Sequence, residues 1–276
     1  MQVLSPAKIN LMLRILGQRR DGYHLLQTYF QLLNWGDEMQ FLPYKNMNTI
    51  DNMEIKIHGQ FVDLKQQDNL IYKAAQLLLP YRKIATGVEI KVDKKIPQGA
   101  GLGGGSSNAG TTLRVLNKLW QCDLTQQQLQ KLAVKLGADV PIFVLNQSAL
   151  ATGIGEKLLA YEVDSYYFVL LLFPQVNIAT IDVFADKDLI RNQTAIAADK
   201  VRDKKYWTNA CLPVVLEHYP EVVKMYKIAT KIAPVYLSGT GSTLFANFDS
   251  SQKAQDFIRS CPSHWNTIVC ESKINP

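Results

Sequence analysis

PQGAGLGGGSSNAG, residues 97–110, places five glycines in seven positions: Gly99, Gly101, Gly103, Gly104 and Gly105. Glycine loses more conformational freedom on folding than any other residue, so this density implies unusual dihedrals or a backbone that approaches a ligand closely. The stretch leads into residues 106–120, where Ala109, Leu113, Leu116 and Trp120 fall on one side of a helix. Main-chain N–H groups and the helix dipole then converge on one spot, an arrangement suited to phosphate. The hydroxyls of Ser106 and Ser107 are added ligands for phosphate oxygens or for a magnesium ion. A mobile surface loop ending in a helix cap is the plainer reading, and the glycine density together with the following helix tells against it.

Three familiar glycine loops compete for the same letters. A Walker P-loop ends in Gly-Lys-Ser/Thr, and residues 97–110 contain no lysine. Gly99, Gly101 and Gly104 satisfy GxGxxG, with Asp123 about 20 residues on, as a dinucleotide fold requires. That acidic residue should end a second strand, yet residues 121–124 lie between two helical patterns. A protein kinase would also carry HRD and DFG, and neither occurs.

Downstream of the loop, Thr125 and Gln128 form a capping-box pattern for a helix with Leu129, Leu132, Ala133 and Leu136 on its apolar face, stopped by Gly137. Asp139 follows the stop, and Pro141 favours an extended or turn conformation there. Upstream, Ala7, Ile9, Leu11, Leu13 and Ile15 alternate with Lys8, Asn10, Met12 and Arg14, the period of a strand, which puts Lys8 and Asn10 on one face. GQRRDGY at 17–23 carries turn chemistry and feeds an apolar run over 25–33, so a hairpin is expected. Met53, Ile55 and Ile57 alternate, as do Val88, Ile90 and Val92. Between them Asp68 can cap a helix bearing Leu70, Ile71, Ala74, Leu77 and Leu78, ended by Pro80. Residues 166–173 form a continuous apolar run typical of a buried strand. The order of elements fits an α+β architecture better than strict β-α alternation, in two domains with a boundary near Leu150, 1–150 and 151–276.

The 276 residues are 47% hydrophobic and 20% charged, with no run of about 18 uncharged apolar residues, as expected of a globular protein with a sizeable core and no membrane span. The start, MQVLSPAKIN, lacks a basic segment followed by an apolar one, so a cytoplasmic location is expected. Cys122, Cys211, Cys261 and Cys270 form no CxxC pair, which argues against a zinc or redox site and for buried or idle thiols. A net charge of +6 suits anionic ligands. The basic residues are dispersed, without a nucleic-acid signature, so phosphate in general is the better partner than nucleic acid.

Transfer of a phosphoryl group from ATP needs position and positive charge, plus often a carboxylate to take the hydroxyl proton. Lys8 on the first strand and Asp139 after the second helix are the candidates, although either alone is more often a solvated surface charge. SPAKINLML at 5–13, PQGAGLGGGSS at 97–107, GADVP at 137–141 and LSGTGSTLFA at 237–246, in that order, resemble the motifs of the GHMP kinase superfamily. DGYHLLQT at 21–28, GD at 36–37 and DNLI at 68–71 are similar to those of its members whose acceptor carries a CDP group.

The resemblance covers essentially the whole chain. It implies a two-domain GHMP kinase fold with the active site in the cleft between domains. The implied activity is ATP-dependent phosphorylation of the 2-hydroxyl of a CDP-linked methylerythritol in the non-mevalonate route to isoprenoid precursors, with Mg2+ accompanying ATP and a monomer or homodimer as the assembly. It also implies that Lys8 and Asp139 are the catalytic pair. Pro97, Gln98, Gly99, Ala100, Gly101, Leu102, Gly103, Gly104, Gly105, Ser106 and Ser107 would hold the ATP phosphates, with Asn69 and Lys94 near the adenine. Asn10, Tyr23, His24, Thr180 and Phe184 would line the substrate pocket, where the rings of Tyr23 and Phe184 pack the cytosine and His24 meets its edge. Stacking on an aromatic ring is worth roughly 1–3 kcal/mol per base. Without the resemblance these three residues read as core aromatics and a hairpin histidine.

Two departures stand out. Ala100 replaces a glycine of many relatives, and Ala210, after Asn209, replaces an acidic residue, so no role is assigned there. Gly239 and Gly241 are expected to shape the cleft. The same loop serves kinases of homoserine, mevalonate or sugars, and a nucleotide-binding sensor without catalysis; DGYH and Phe184 tell against the former, and the presence of Lys8 and Asp139 against the latter.

Overall fold

The computed structural model describes residues 1–44, 55–61, 65–84, 86–161 and 167–273. The chain runs β1 (Gln2–Gln18), β2 (His24–Tyr44), β3 (Ile55–Gly59), α1 (Leu70–Leu78), β4 (Gly87–Asp93), α2 (Gly104–Leu119), α3 (Gln126–Val134) and α4 (Val140–Leu145). It continues through β5 (Ala149–Gly153), β6 (Lys157–Ala160), β7 (Phe168–Phe173), α5 (Thr180–Ala185), α6 (Leu212–His218) and α7 (Pro220–Ala229). β8 (Tyr236–Leu237), β9 (Leu244–Phe248), α8 (Ser251–Arg259) and β10 (Asn266–Glu271) complete it. Met53 and Tyr166, which head two of the expected strands, lie outside the described residues.

Two compact units emerge, each drawn from separate segments. The first comprises residues 1–7, 35–96 and 103–146; the second comprises 8–34, 97–102 and 147–276. The single cut expected near Leu150 falls close to the last of these changes and does not foresee the earlier ones.

In the first unit the C-terminal half of β2 pairs antiparallel with β4, from Glu38 opposite Asp93 to Tyr44 opposite Gly87, and β3 lies parallel to β4 on its other side. Helices α1–α4 supply the rest of its core, where Met39, Phe41, Val88, Ile90, Leu113, Leu116, Trp120 and Val140 are buried together. Thr125 closes the expected capping box, its side chain accepting from Gln128 N while Gln128 bonds back to Thr125 N. Two expectations are corrected. The cap of α1 is Asn69, whose Oδ1 accepts from Ile71 N at 2.9 Å, because Asp68 is taken into a 3-10 turn, Gln66–Asp68. Ala138 and Asp139 do form a turn, but the expected extended or turn conformation ends there, because Val140 already begins the short helix α4: Pro141 sits in its first turn, where the missing N–H costs nothing.

In the second unit residues Leu26 to Phe30 of β2 pair antiparallel with β5, which pairs with β6. A separate antiparallel sheet has the order β10-β7-β9-β8. Leu170, Leu172, Leu237, Leu244 and Ala246 from it pack with Val214, Val215, Val222, Met225 and Phe257 of α6, α7 and α8. The hairpin between β1 and β2 turns at residues 19–23, with Gly22 at a φ of +88°. Residues 5–13 of β1 are all buried. Their alternation therefore sorts residues by chemistry rather than by exposure, and Lys8 is 3% exposed rather than on a solvated face.

Candidate active site

Lys8 lies in β1 with its ammonium fixed from two sides: Nζ donates to Asn10 Oδ1 at 2.6 Å and to Gly101 O at 2.7 Å. The strand and the glycine loop are also joined through the backbone, Lys8 N to Leu102 O at 3.0 Å. Asn10 in turn donates to Thr28 Oγ1 at 2.7 Å, and Thr28 donates to Met12 O. Both ends of the Asn10 amide are thus engaged inside the protein, so it orients the lysine. Burying an ammonium demands such oxygen partners, because stripping its water without replacement would neutralise it.

The turn after β8 seals the other side of Gly101. Ser238 Oγ donates to Gly101 O at 2.9 Å, and Thr243 N donates to Ala100 O. A Cβ on Gly101 would stand 2.2 Å from Ser238 O with φ at +73°, so only glycine fits. Asn209, which carries no motif that assigns it a role, organises this turn. Its Nδ2 donates to Leu237 O and Gly239 O, both at 2.8 Å, and its Oδ1 accepts from Cys211 N. Cys211 is completely buried beside this network, and burial pushes its thiol up to about 12 despite the nearby positive charge of Lys8.

In the first unit, α2 starts two residues before the expected Ser106. Its N-cap Gly103 is left-handed, at φ 73°, and Ser107 N makes the first helical bond, to Gly103 O. The N–H groups of Gly104, Gly105 and Ser106 precede that bond and have no intrahelical acceptor, which leaves them for an anion. The Ser107 hydroxyl donates to Pro6 O at 2.6 Å and meets Ser5 Oγ at 2.8 Å, so it is committed inward and Ser106 remains the hydroxyl for a ligand.

Behind this helix start Asp37 is fully buried and accepts from Lys95 N at 2.8 Å, Ile96 N at 2.9 Å, Asn108 Nδ2 at 2.9 Å and Lys94 Nζ. Gly36 lets β2 come close enough to place it, since a Cβ there would lie 2.0 Å from Ser5 O. Lys94, expected near adenine, is thereby tethered within van der Waals range of a Cβ built on Gly104, at 3.4 Å. Replacing Asp37 by alanine strands a partly buried ammonium and two backbone donors, and is expected to cost about 3–5 kcal/mol, read as a lower urea midpoint. An unchanged midpoint would show the network to be dispensable. Asn69, the other adenine candidate, keeps only its Nδ2 for a ligand because Oδ1 caps α1. Asp139 is the N-cap residue of α4.

The second unit also holds the expected substrate residues. His24 stacks on Phe184 with ring centroids 5.0 Å apart at 23°, Tyr23 is 59% exposed, and Thr180 Oγ1 lies 3.1 Å from Thr240 Oγ1.

The architecture and the glycine loop are those of the GHMP kinases: the GHMP kinases N terminal domain family matches residues 69–147 and the GHMP kinases C terminal family residues 196–267. The 4-diphosphocytidyl-2-C-methyl-D-erythritol kinase of Marinomonas sp. (strain MWYL1) is 43% identical over 271 residues, 98% of this chain and 86% of that protein. That of Pasteurella multocida (strain Pm70) is 42% identical over 96% of this chain and 88% of its own. A crystal structure of 4-(cytidine 5'-diphospho)-2C-methyl-D-erythritol kinase superposes with a TM-score of 0.83 at 27% identity, covering 98% of both chains. A homoserine kinase from Cytophaga hutchinsonii, 16% identical with a TM-score of 0.71 over 100% of this chain and 95% of its own, shares the fold. The chain belongs to the 4-diphosphocytidyl-2-C-methyl-D-erythritol kinase family of GHMP kinases.

Proposed function

We propose that the chain transfers the γ-phosphoryl group of ATP to the 2-hydroxyl of 4-diphosphocytidyl-2-C-methyl-D-erythritol. The observation that carries this reading is the Lys8 ammonium, buried and held against the carbonyl of Gly101 in the glycine loop. The hydroxyl oxygen bonds to the γ-phosphorus as the bond to the ADP oxygen breaks, and the hydroxyl proton passes to the Asp139 carboxylate. Lys8 offsets the negative charge of the moving group. Residues 97–107 hold the triphosphate, the free N–H groups at the start of α2 foremost, with Lys94 and Asn69 toward the nucleoside. Tyr23, His24, Thr180 and Phe184 hold the CDP-linked acceptor.

Magnesium, in this reading, is carried by the triphosphate. Among the described residues no group of three or more His, Cys, Asp or Glu could cage a metal, while Ser106 keeps a hydroxyl able to join an ion that retains most of its water. The ion's contribution would be to neutralise charge across the β- and γ-phosphates. Residues 1–150 would form the ATP-binding domain and 151–276 its C-terminal companion, in a cytoplasmic monomer or homodimer that engages neither membrane nor nucleic acid. Among the described residues no helix is long and apolar enough to cross a membrane.

A coupled ADP-release assay compares the CDP-linked methylerythritol with homoserine and mevalonate. Turnover of the first alone is expected; turnover of either competitor without the first would overturn the assignment.

A further inference from the structure

Arg191 occupies a junction that neither the sequence reading nor the phosphoryl-transfer chemistry uses. Its Nη2 donates to Phe184 O at 2.8 Å and to Asp186 O at 2.7 Å, its Nη1 to Leu189 O at 3.0 Å, and its Nε to His24 Nε2 at 3.1 Å. The rigid guanidinium fork thus ties the chain after α5 to the ring that stacks on Phe184. Arginine has only donors, so His24 Nε2 is the acceptor, and the neutral imidazole carries its proton on Nδ1. Among the described residues, Nδ1 has no hydrogen-bond partner, and the ring is only partly buried, so this N–H is available to a ligand.

The surroundings keep the ring neutral. Burial first, and then the charge of Arg191, hold the His24 pKa below its ordinary 6.5. The neighbouring carboxylates are engaged elsewhere: Asp186 with His218 and Asp188 N, and Asp21 with Arg19 and Tyr23 N. Phe184 brings no charge to its face of the stack.

We propose that Arg191 is a positioning residue that fixes His24 as the Nδ1–H tautomer, so that the pocket selects a pyrimidine with an acceptor at N3, cytosine, over one with N3–H, uracil. A donor facing cytosine N3 forms a hydrogen bond; the same donor facing uracil meets another donor, and both lose their water without compensation. The inference rests on the reading that the acceptor carries a CDP group.

Long-range 1H–15N spectra of the wild-type protein are expected to show the proton of neutral His24 on Nδ1, with the neutral ring predominating at pH 6.5. In Arg191→Gln and in Arg191→Lys the KM for the CDP-linked acceptor should rise about tenfold, the scale of one hydrogen bond between neutral partners. In the same variants kcat and the KM for ATP should stay within about twofold, and the preference for CDP over UDP in direct binding should fall by a similar factor. Without the arginine the smaller of the two causes that lower the His24 pKa is gone while burial remains, so protonation, and with it the weakening of CDP binding, should set in at a higher pH than in the wild type. A wild-type His24 protonated on Nε2, or a folded variant that keeps the full CDP preference, would overturn the proposal. Should Arg191→Gln not fold, the wild-type spectrum and Arg191→Lys decide. A wild type that binds neither CDP nor UDP would instead sink the substrate reading and the base selection with it, while the tautomer measurement still judges the role of Arg191 toward His24.

Discussion

Lys8→Met is expected to lower kcat by about 10³-fold while ATP still binds. Methionine keeps most of the apolar stem but removes the ammonium proposed to offset charge on the moving phosphoryl. Because the ammonium also satisfies Asn10 Oδ1 and Gly101 O, both of which then lose a partner, the variant should melt earlier as well. The two effects separate cleanly: turnover is measured at saturating substrates well below the melting temperature, and ATP affinity by direct titration. A kcat within tenfold of wild type would place the cationic role elsewhere. Arginine should not rescue, since its planar fork cannot enter a site shaped for a point charge between two oxygens.

Asp139→Asn is expected to cut kcat by about 10²- to 10⁴-fold, the range for a positioned proton acceptor. The substitution preserves shape and leaves the helical start of α4 intact, so folding should be little affected. ATP affinity should also survive, which a titration against the unreactive variant can show. Near-normal single-turnover phosphoryl transfer would mean that the hydroxyl proton leaves by another route.

Much of the fold was legible because its signals are local. The glycine run, the helix after it, the capping box at Thr125 and Gln128, and the turn at residues 19–23 each show within a dozen residues the physics that forms them. Asn69 and Asp68 are adjacent residues of equal capping ability, and only the 3-10 turn that absorbs Asp68 decides between them. The helix after Asp139 was missed because Pro141 reads as a breaker unless its place in the first turn is known. The polar partners were illegible for a different reason. Asp37 meets Lys94 across 57 positions and Arg191 meets His24 across 167, so no window of sequence contains both members of either pair. Asn209 has no local signal either, since its amide reaches the backbone of Leu237 and Gly239, 28 and 30 positions away. Period-two alternation puts Asn10 beside Lys8, but it cannot say that the two side chains bond to each other.

The Gly101 carbonyl, which receives both the Lys8 ammonium and the Ser238 hydroxyl, has an electronic consequence. Two protons drawn to one oxygen shift π density away from the nitrogen of the same amide, so the Leu102 N–H on its far side becomes a more polar donor. Cation and loop are therefore coupled through a single resonance unit. Transplanting the glycine segment into another scaffold without that lysine and serine would carry over its shape but not the polarisation of that N–H.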